Sequence, residues 1–174
     1  MAWSSSYAVS PERQASWRLN YSILSNFHTI PGQGPAGIDE GVLTSWIDQV
    51  RQLAVEAQRV AITNQYVGHI LAHSPHGADG VWPAEAIRVQ IERLRSQELE
   101  NGLMIEKYNM RGAHFRDPNG GGAEERAFAA QYRDYANKTG RWPRTQAMLR
   151  AIADNWEADA RREDEWAEQR KMKM

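Results

Sequence analysis

Apolar side chains recur every three or four residues along almost the whole chain, and nowhere alternate with polar ones for long enough to make a strand. The clearest stripe is Leu43, Trp46, Ile47, Val50, Leu53, Ala54 and Ala57, one face of a helix that Asp39 is placed to cap. A chain patterned this way buries its apolar surface by packing helix on helix. The expected fold is therefore all-α, a compact bundle of six to seven helices with one long Gly-rich loop at about 109–122.

The remaining stripes set the register. Residues 1–9 are Ser-rich and read as a flexible N-terminal segment ahead of a single helical domain, 10–174. Ser10, Pro11 and Glu12 open a first helix bearing Trp17, Tyr21, Leu24, Phe27 and His28. The stretch 29–38 is a loop because its prolines and glycines oppose regular structure. Thr63 is placed to cap a helix with Tyr66, Val67, Ile70 and Leu71 inward, and Pro83 to open another with Ile87, Ile91 and Leu94. Ser96 can cap a fifth, carrying Leu99, Leu103, Met104 and Tyr108. The sixth runs from about Glu124 to Lys138 with Phe128, Tyr132 and Tyr135 inward. The last starts near Pro143, aligns Met148, Leu149, Ile152, Trp156 and Ala160, and ends in a charged, solvated tail where Glu157 and Arg161 have the spacing of an i,i+4 pair. Trp46, Trp82, Trp142 and Trp156 are the expected core anchors.

Charge and composition narrow the function classes. Lys and Arg total 21 against 22 acidic residues, a net charge of -1, which argues against nucleic-acid binding because that affinity comes largely from neutralising phosphates. With no cysteine, disulfides, thiol catalysis and thiolate metal sites are all excluded. No apolar run approaches the roughly 20 residues that span a bilayer, and Met1 to Ser10 lacks a signal peptide's basic and apolar regions. A cytoplasmic location is expected.

Several short motifs invite a chemical reading. Gly32, Gly34 and Gly37 spell GxGxxG, but no strand precedes them and Pro35 stiffens the segment, so they read as a turn rather than a dinucleotide site. His69 and His73 stand four apart on a helix, with His76 or Asp79 in reach as a third metal ligand. They lack an accompanying HExxH glutamate, so helix-end histidines without metal are the favoured reading, and no cofactor is expected. In the 109–122 loop, Arg111, His114, Arg116 and Asp117 make a candidate anion or ligand site. Glu124 and Glu125 just beyond weaken it, and pairing of the loop's arginines with acidic neighbours is favoured. Residues 53–71 have a faint helix-turn-helix look that would present Asn64, Gln65 and His69 to DNA, without a lysine or arginine on that helix to meet phosphate. The run Glu163-Asp164-Glu165 reads as a solvated face.

A set of ordered fragments between about residues 20 and 170 carries a resemblance. They are Pro31-Gly32; Val67-Gly68 through Leu71, Pro75 and Asp79-Gly80-Val81-Trp82-Pro83; Gly102 ahead of Tyr108-Asn109-Met110-Arg111-Gly112; Gly121-Gly122 with Glu125-Arg126; Tyr132-Arg133; Trp142-Pro143-Arg144; and the tail from Glu157 to Glu165. In this order they resemble the C-terminal helical region of large, mostly uncharacterised bacterial proteins, some of which are labelled helix-turn-helix regulators. The chain departs from that pattern at His69 and His76. The resemblance implies a helical module whose usual context is a longer chain, and it brings no catalytic residue. Met1 is then either a native start or the edge of a fragment. The expected function is a non-enzymatic helical interaction or scaffold module in an oligomeric state that the sequence leaves open. Its partner is another protein or the remainder of a larger chain. Trp3, Trp17 and Trp166, near the ends, are the expected interface anchors.

Overall fold

The computed structural model describes residues 27–112 and 121–172, and within them six helices follow a minute β-ladder. The ladder pairs β1 (Gln33–Gly34) with β2 (Gly37–Ile38), antiparallel. The 29–38 stretch, expected as an irregular loop, is thus a tight hairpin: Gly32 and Gly37 adopt φ of 81° and 114°, left-handed values that favour glycine, and at Gly32 a Cβ would also stand 2.8 Å from the Asp39 carbonyl oxygen. The helices are α1 (Glu40–Glu56), α2 (Val60–Ala72), α3 (Glu85–Leu94), α4 (Gln97–Asn109), α5 (Ala123–Lys138) and α6 (Pro143–Lys171). The all-α bundle expected from the periodicity is the observed architecture. The helix expected from Ser10 lies, with Trp3 and Trp17, outside the described residues except for Phe27 and His28, which are not helical.

Two caps sit where the sequence placed them. The Asp39 carboxylate accepts the Val42 amide, and the Ser96 hydroxyl accepts the Leu99 amide. Two others differ. α2 begins at Val60 rather than at Thr63, because Gln58, at φ 55°, reverses the chain early and Thr63 N–H already donates to the Arg59 carbonyl. α3 begins at Glu85, two residues past Pro83; that proline follows a cis peptide bond and is buried with Trp82.

Two pairs of helices make the main contacts, α2 with α4 and α5 with α6, and both depend on glycine. A Cβ at Gly68 would stand 2.1 Å from the Leu99 carbonyl oxygen, and one at Gly102 equally close to that of Gln65. No side chain fits there, so the two backbones meet. At Gly122, ahead of α5, a Cβ would fall 2.2 Å from the carbonyl oxygen of Ala160 on α6. Carboxylates from other helices complete these crossings. Glu92 of α3 accepts the amides of Arg144 and Thr145 at the start of α6, and Asp164 of α6 accepts the Gly122 amide and pairs with Arg126. The acidic run 163–165 is thus not wholly a solvated face: Asp164 caps a neighbouring helix.

The core gathers Leu43, Ile47, Val67, Leu71, Val81, Trp82, Ile87, Ile91, Leu99, Leu103, Leu149, Ile152 and Trp156. Trp82, Trp142 and Trp156 are buried as expected, whereas Trp46 is half-buried on the rim of the core. Leu53 and Ala57 depart from the expected stripe and are exposed, while Ala54 between them is buried. Glu157 accepts from Arg133 of α5 at 3.3 Å rather than pairing with Arg161 on its own helix. No helix among the described residues is long and apolar enough to cross a membrane.

Candidate functional site

Two places in the fold combine exposure with unusual chemistry, and both involve α4. One lies on its α2 side. His73 caps the C-terminus of α2, and His69 stands one turn earlier on the same face. The Gly68–Gly102 crossing draws α4 close enough for Glu106 to reach both: its Oε1 is 3.1 Å from His73 Nε2 and its Oε2 is 3.6 Å from His69 Nδ1. His28, arriving from the stretch ahead of the hairpin, places Nδ1 2.9 Å from the same His73 Nε2, with the two rings 4.2 Å apart. The donor atoms of His28, His73 and Glu106 lie within 4.8 Å of one another. Burial, and then the neighbouring His28, hold the His73 imidazole below its ordinary pKa, which favours its neutral form.

This constellation differs from the one the sequence suggested. His69 and His73 do share a face, but His76 turns away, with Nε2 3.0 Å from the Tyr135 hydroxyl. Asp79 is taken by Arg88, whose guanidinium grips both carboxylate oxygens at 2.6 and 2.9 Å. The histidines engage side chains from other segments rather than helix-end carbonyls. Sequence reasoning missed Glu106 and His28 because they lie 33 and 45 residues from His73, and only the glycine crossing and the hairpin bring them in. The available signal was the pair Gly68 and Gly102, small residues inside two helices.

The other place is a groove of about 450 Å³ between α4 and α6. Trp156 forms its floor, with Tyr108 stacked on the indole at 4.7 Å between ring centres. Met104, Ile105 and Ile152 supply apolar walls, and Asn101, Asn109, Asn155, Asp159 and Arg162 form the rim. The Tyr108 hydroxyl donates to Asp159 at 2.7 Å, and Asp159 also pairs with Arg162. Tyr108, expected on the inward stripe of its helix, is 46% exposed, and the neighbouring Ile105 is 45% exposed.

Of the loop candidates, Arg111 is described; His114, Arg116 and Asp117 lie outside the described residues. Arg111 pairs with Glu124 at 3.0 Å and Glu125 at 2.7 Å, and its guanidinium lies 4.9 Å from the Trp156 ring centre. It thus joins the loop to α5 and the groove floor, as the pairing with acidic neighbours anticipated. Beside it Lys107 rests 4.8 Å from the centre of the Trp82 ring, where burial pushes its amine below the usual pKa. Of the helix-turn-helix residues, Asn64 is buried and donates to Ser96 at 3.1 Å, while Gln65 and His69 are half-buried, the backbone at Gln65 being covered by Gly102. Trp166 is 52% exposed on the part of α6 beyond Asp164, beside the buried Ala167. Comparison of the chain with models of protein families, with curated proteins and with solved structures finds no match.

Proposed function

We propose that this chain is a non-enzymatic helical interaction module, acting in the cytoplasm and belonging to the C-terminal part of a larger bacterial protein. The observation that carries the reading is the α4–α6 groove: a stacked Tyr–Trp floor flanked by the exposed Ile105 and the half-buried Met104, and rimmed by amides and one Asp–Arg pair. Tyr, Trp and Arg are the residue types that dominate binding energy at protein interfaces, and here they converge on one concave patch. The rim carries no net charge, since Asp159 and Arg162 offset each other. That suits a polypeptide with apolar anchors and does not suit a phosphate backbone. The occupant is an amphipathic helix of a partner protein, its aliphatic residues seated on Tyr108 and Trp156 and its edges bonded to the amide rim. Trp166, exposed near the end of α6, adds a second anchor.

The test is capture from the native host, with nuclease present, by wild-type protein, by Ile105→Arg and by Ala130→Arg on the exposed face of α5. A photo-crosslinking residue at position 105 locates any partner on the groove. The expected outcome is one protein captured by wild type and Ala130→Arg, crosslinked from 105, and held at least about tenfold more weakly by Ile105→Arg. Equal capture by all three, or recovery of nucleic acid alone, sinks the reading. A dimer of this chain that Ile105→Arg dissolves replaces the partner protein with a second copy.

A further inference from the structure

The geometry points to a divalent-metal site of the zinc class at the junction of α2 and α4, held by His28 Nδ1, His73 Nε2 and a Glu106 carboxylate oxygen. It is independent of the groove, which lies on a different face of α4.

The first argument is a shortage of protons. An imidazole nitrogen carries either one hydrogen or one lone pair, and a carboxylate only accepts. If His73 Nε2 carries the hydrogen, that single N–H faces two acceptors, Glu106 at 3.1 Å and His28 Nδ1 at 2.9 Å. If it carries the lone pair, His28 can donate to it, but the carboxylate then faces that lone pair directly. Either way, one atom-sized region collects more lone pairs than hydrogens. A cation placed there satisfies all three groups at once.

The second argument is metric. Zinc takes nitrogen and oxygen ligands at about 2.0–2.2 Å in tetrahedral array, which places ligand atoms roughly 3.3 Å apart. The His28–His73 and His73–Glu106 separations, 2.9 and 3.1 Å, already approach that edge. Within the cluster no pair of ligand atoms exceeds 4.8 Å, and turning the exposed His28 side chain closes the remaining gap. Two imidazoles and one carboxylate select a first-row divalent ion, with cobalt, nickel and iron(II) as competitors, over calcium or magnesium. Three protein ligands leave a position for water.

His69 is assigned as a positioning residue. Its Nδ1 stands 3.6 Å from Oε2 of Glu106, the oxygen other than the one beside His73, where it orients the carboxylate in the way that outer contacts orient metal ligands. His76, committed to Tyr135, takes no part.

The experiment uses the full chain freed of any histidine tag, stripped with chelator and dialysed against zinc. Metal content is measured by mass spectrometry, and affinity by titration against a competing chelator. Wild type and His76→Ala are expected to hold about one equivalent and to melt roughly 5 °C or more higher with zinc. His28→Ala and Glu106→Gln are expected to lose the metal and the shift, and His69→Ala to bind about 10–100-fold more weakly. Cobalt in place of zinc should give the intense visible bands of a tetrahedral centre in wild type and not in His28→Ala. His28 is exposed, so that variant reads the site without threatening the fold. Retention of less than about a tenth of an equivalent by folded wild type overturns the proposal. So does wild-type affinity in both His28→Ala and Glu106→Gln.

Discussion

Two polar clusters flank the turn between α2 and α3, and they are assembled on opposite rules. On one side Arg88, fully buried, brings its guanidinium donors to four acceptors: both Asp79 oxygens, the Val81 carbonyl and the Pro83 carbonyl, all between 2.6 and 2.9 Å. Trp142 covers it at 4.8 Å. Four of its five hydrogens thus find protein acceptors, and the charge is paired with a carboxylate. On the other side His28, His73 and Glu106 gather lone pairs with too few hydrogens between them. A buried charge is tolerated when its partners are complete, so the first cluster accounts for itself as structure. The second, half-exposed, leaves lone pairs that a bound cation would satisfy.

The sharpest way to break the comparison is to separate the helices beneath one cluster and leave the other alone. A methyl at Gly102 would sit 2.1 Å from the Gln65 carbonyl oxygen, so Gly102→Ala forces α4 off α2 and carries Glu106 away from His73. It should cost about 3 kcal/mol or more in urea unfolding, and zinc affinity should fall with it. Arg88 keeps its partners, which all come from the 79–83 turn. Next in size is Arg88→Met. It keeps most of the bulk under Trp142 but strips the two carbonyls and Asp79 of their donor, at about 2–4 kcal/mol. Unfolding of either variant at wild-type denaturant concentration would show that the crossing, or the arginine, had been misjudged.

Asp79→Asn is smaller and has a pH signature. Hydrogen bonding to Arg88 holds the Asp79 carboxyl at about 2, against an ordinary 3.8. A carboxylate depressed in the folded state contributes stability above its unfolded pKa and loses it as pH falls through the folded one. The side chain is 46% exposed, and solvent screening reduces the contribution to about 1 kcal/mol. The stability gap between wild type and Asp79→Asn should be full at neutral pH and close between about pH 4 and 2. A gap that persists at pH 2 would assign the loss to the amide's geometry rather than to charge.

The contrast also marks what the sequence reveals. Period-3.6 stripes, Asp39 and Ser96 announced the helices because those signals are local. Arg88 and Glu106 look alike in sequence, each a charged residue on a helix also bearing apolar ones. Their partners are set by a reversed turn in one case and by a glycine crossing in the other. His69 and His73 were legible as a pair because four residues is one turn of helix. His28 and Glu106 were not, since their approach depends on long-range packing that no local pattern encodes. His76 was the plausible third ligand by proximity, and it fails because the turn after α2 points it at Tyr135. The groove escaped notice for a related reason: Tyr108 has core spacing on α4, and only the path of α6 leaves it at a surface.

The smallest predicted effect is the most telling, because its sign differs between the two clusters. Replacing an acid by its amide in a closed cluster removes a needed acceptor charge, so Asp79→Asn destabilises. In an open cluster it supplies a hydrogen. The Glu106→Gln amide can donate to the lone pair of His73 Nε2, leaving His28 free to turn. In chelator, Glu106→Gln should be as stable as wild type or more stable by a few tenths of a kcal/mol. With zinc added, wild type should gain stability by binding linkage and the variant should not. A loss above about 1 kcal/mol in chelator would mean that the carboxylate is an ion-pair partner of the histidines. The α2–α4 cluster would then be closed in the same sense as the arginine knot and would not select a metal.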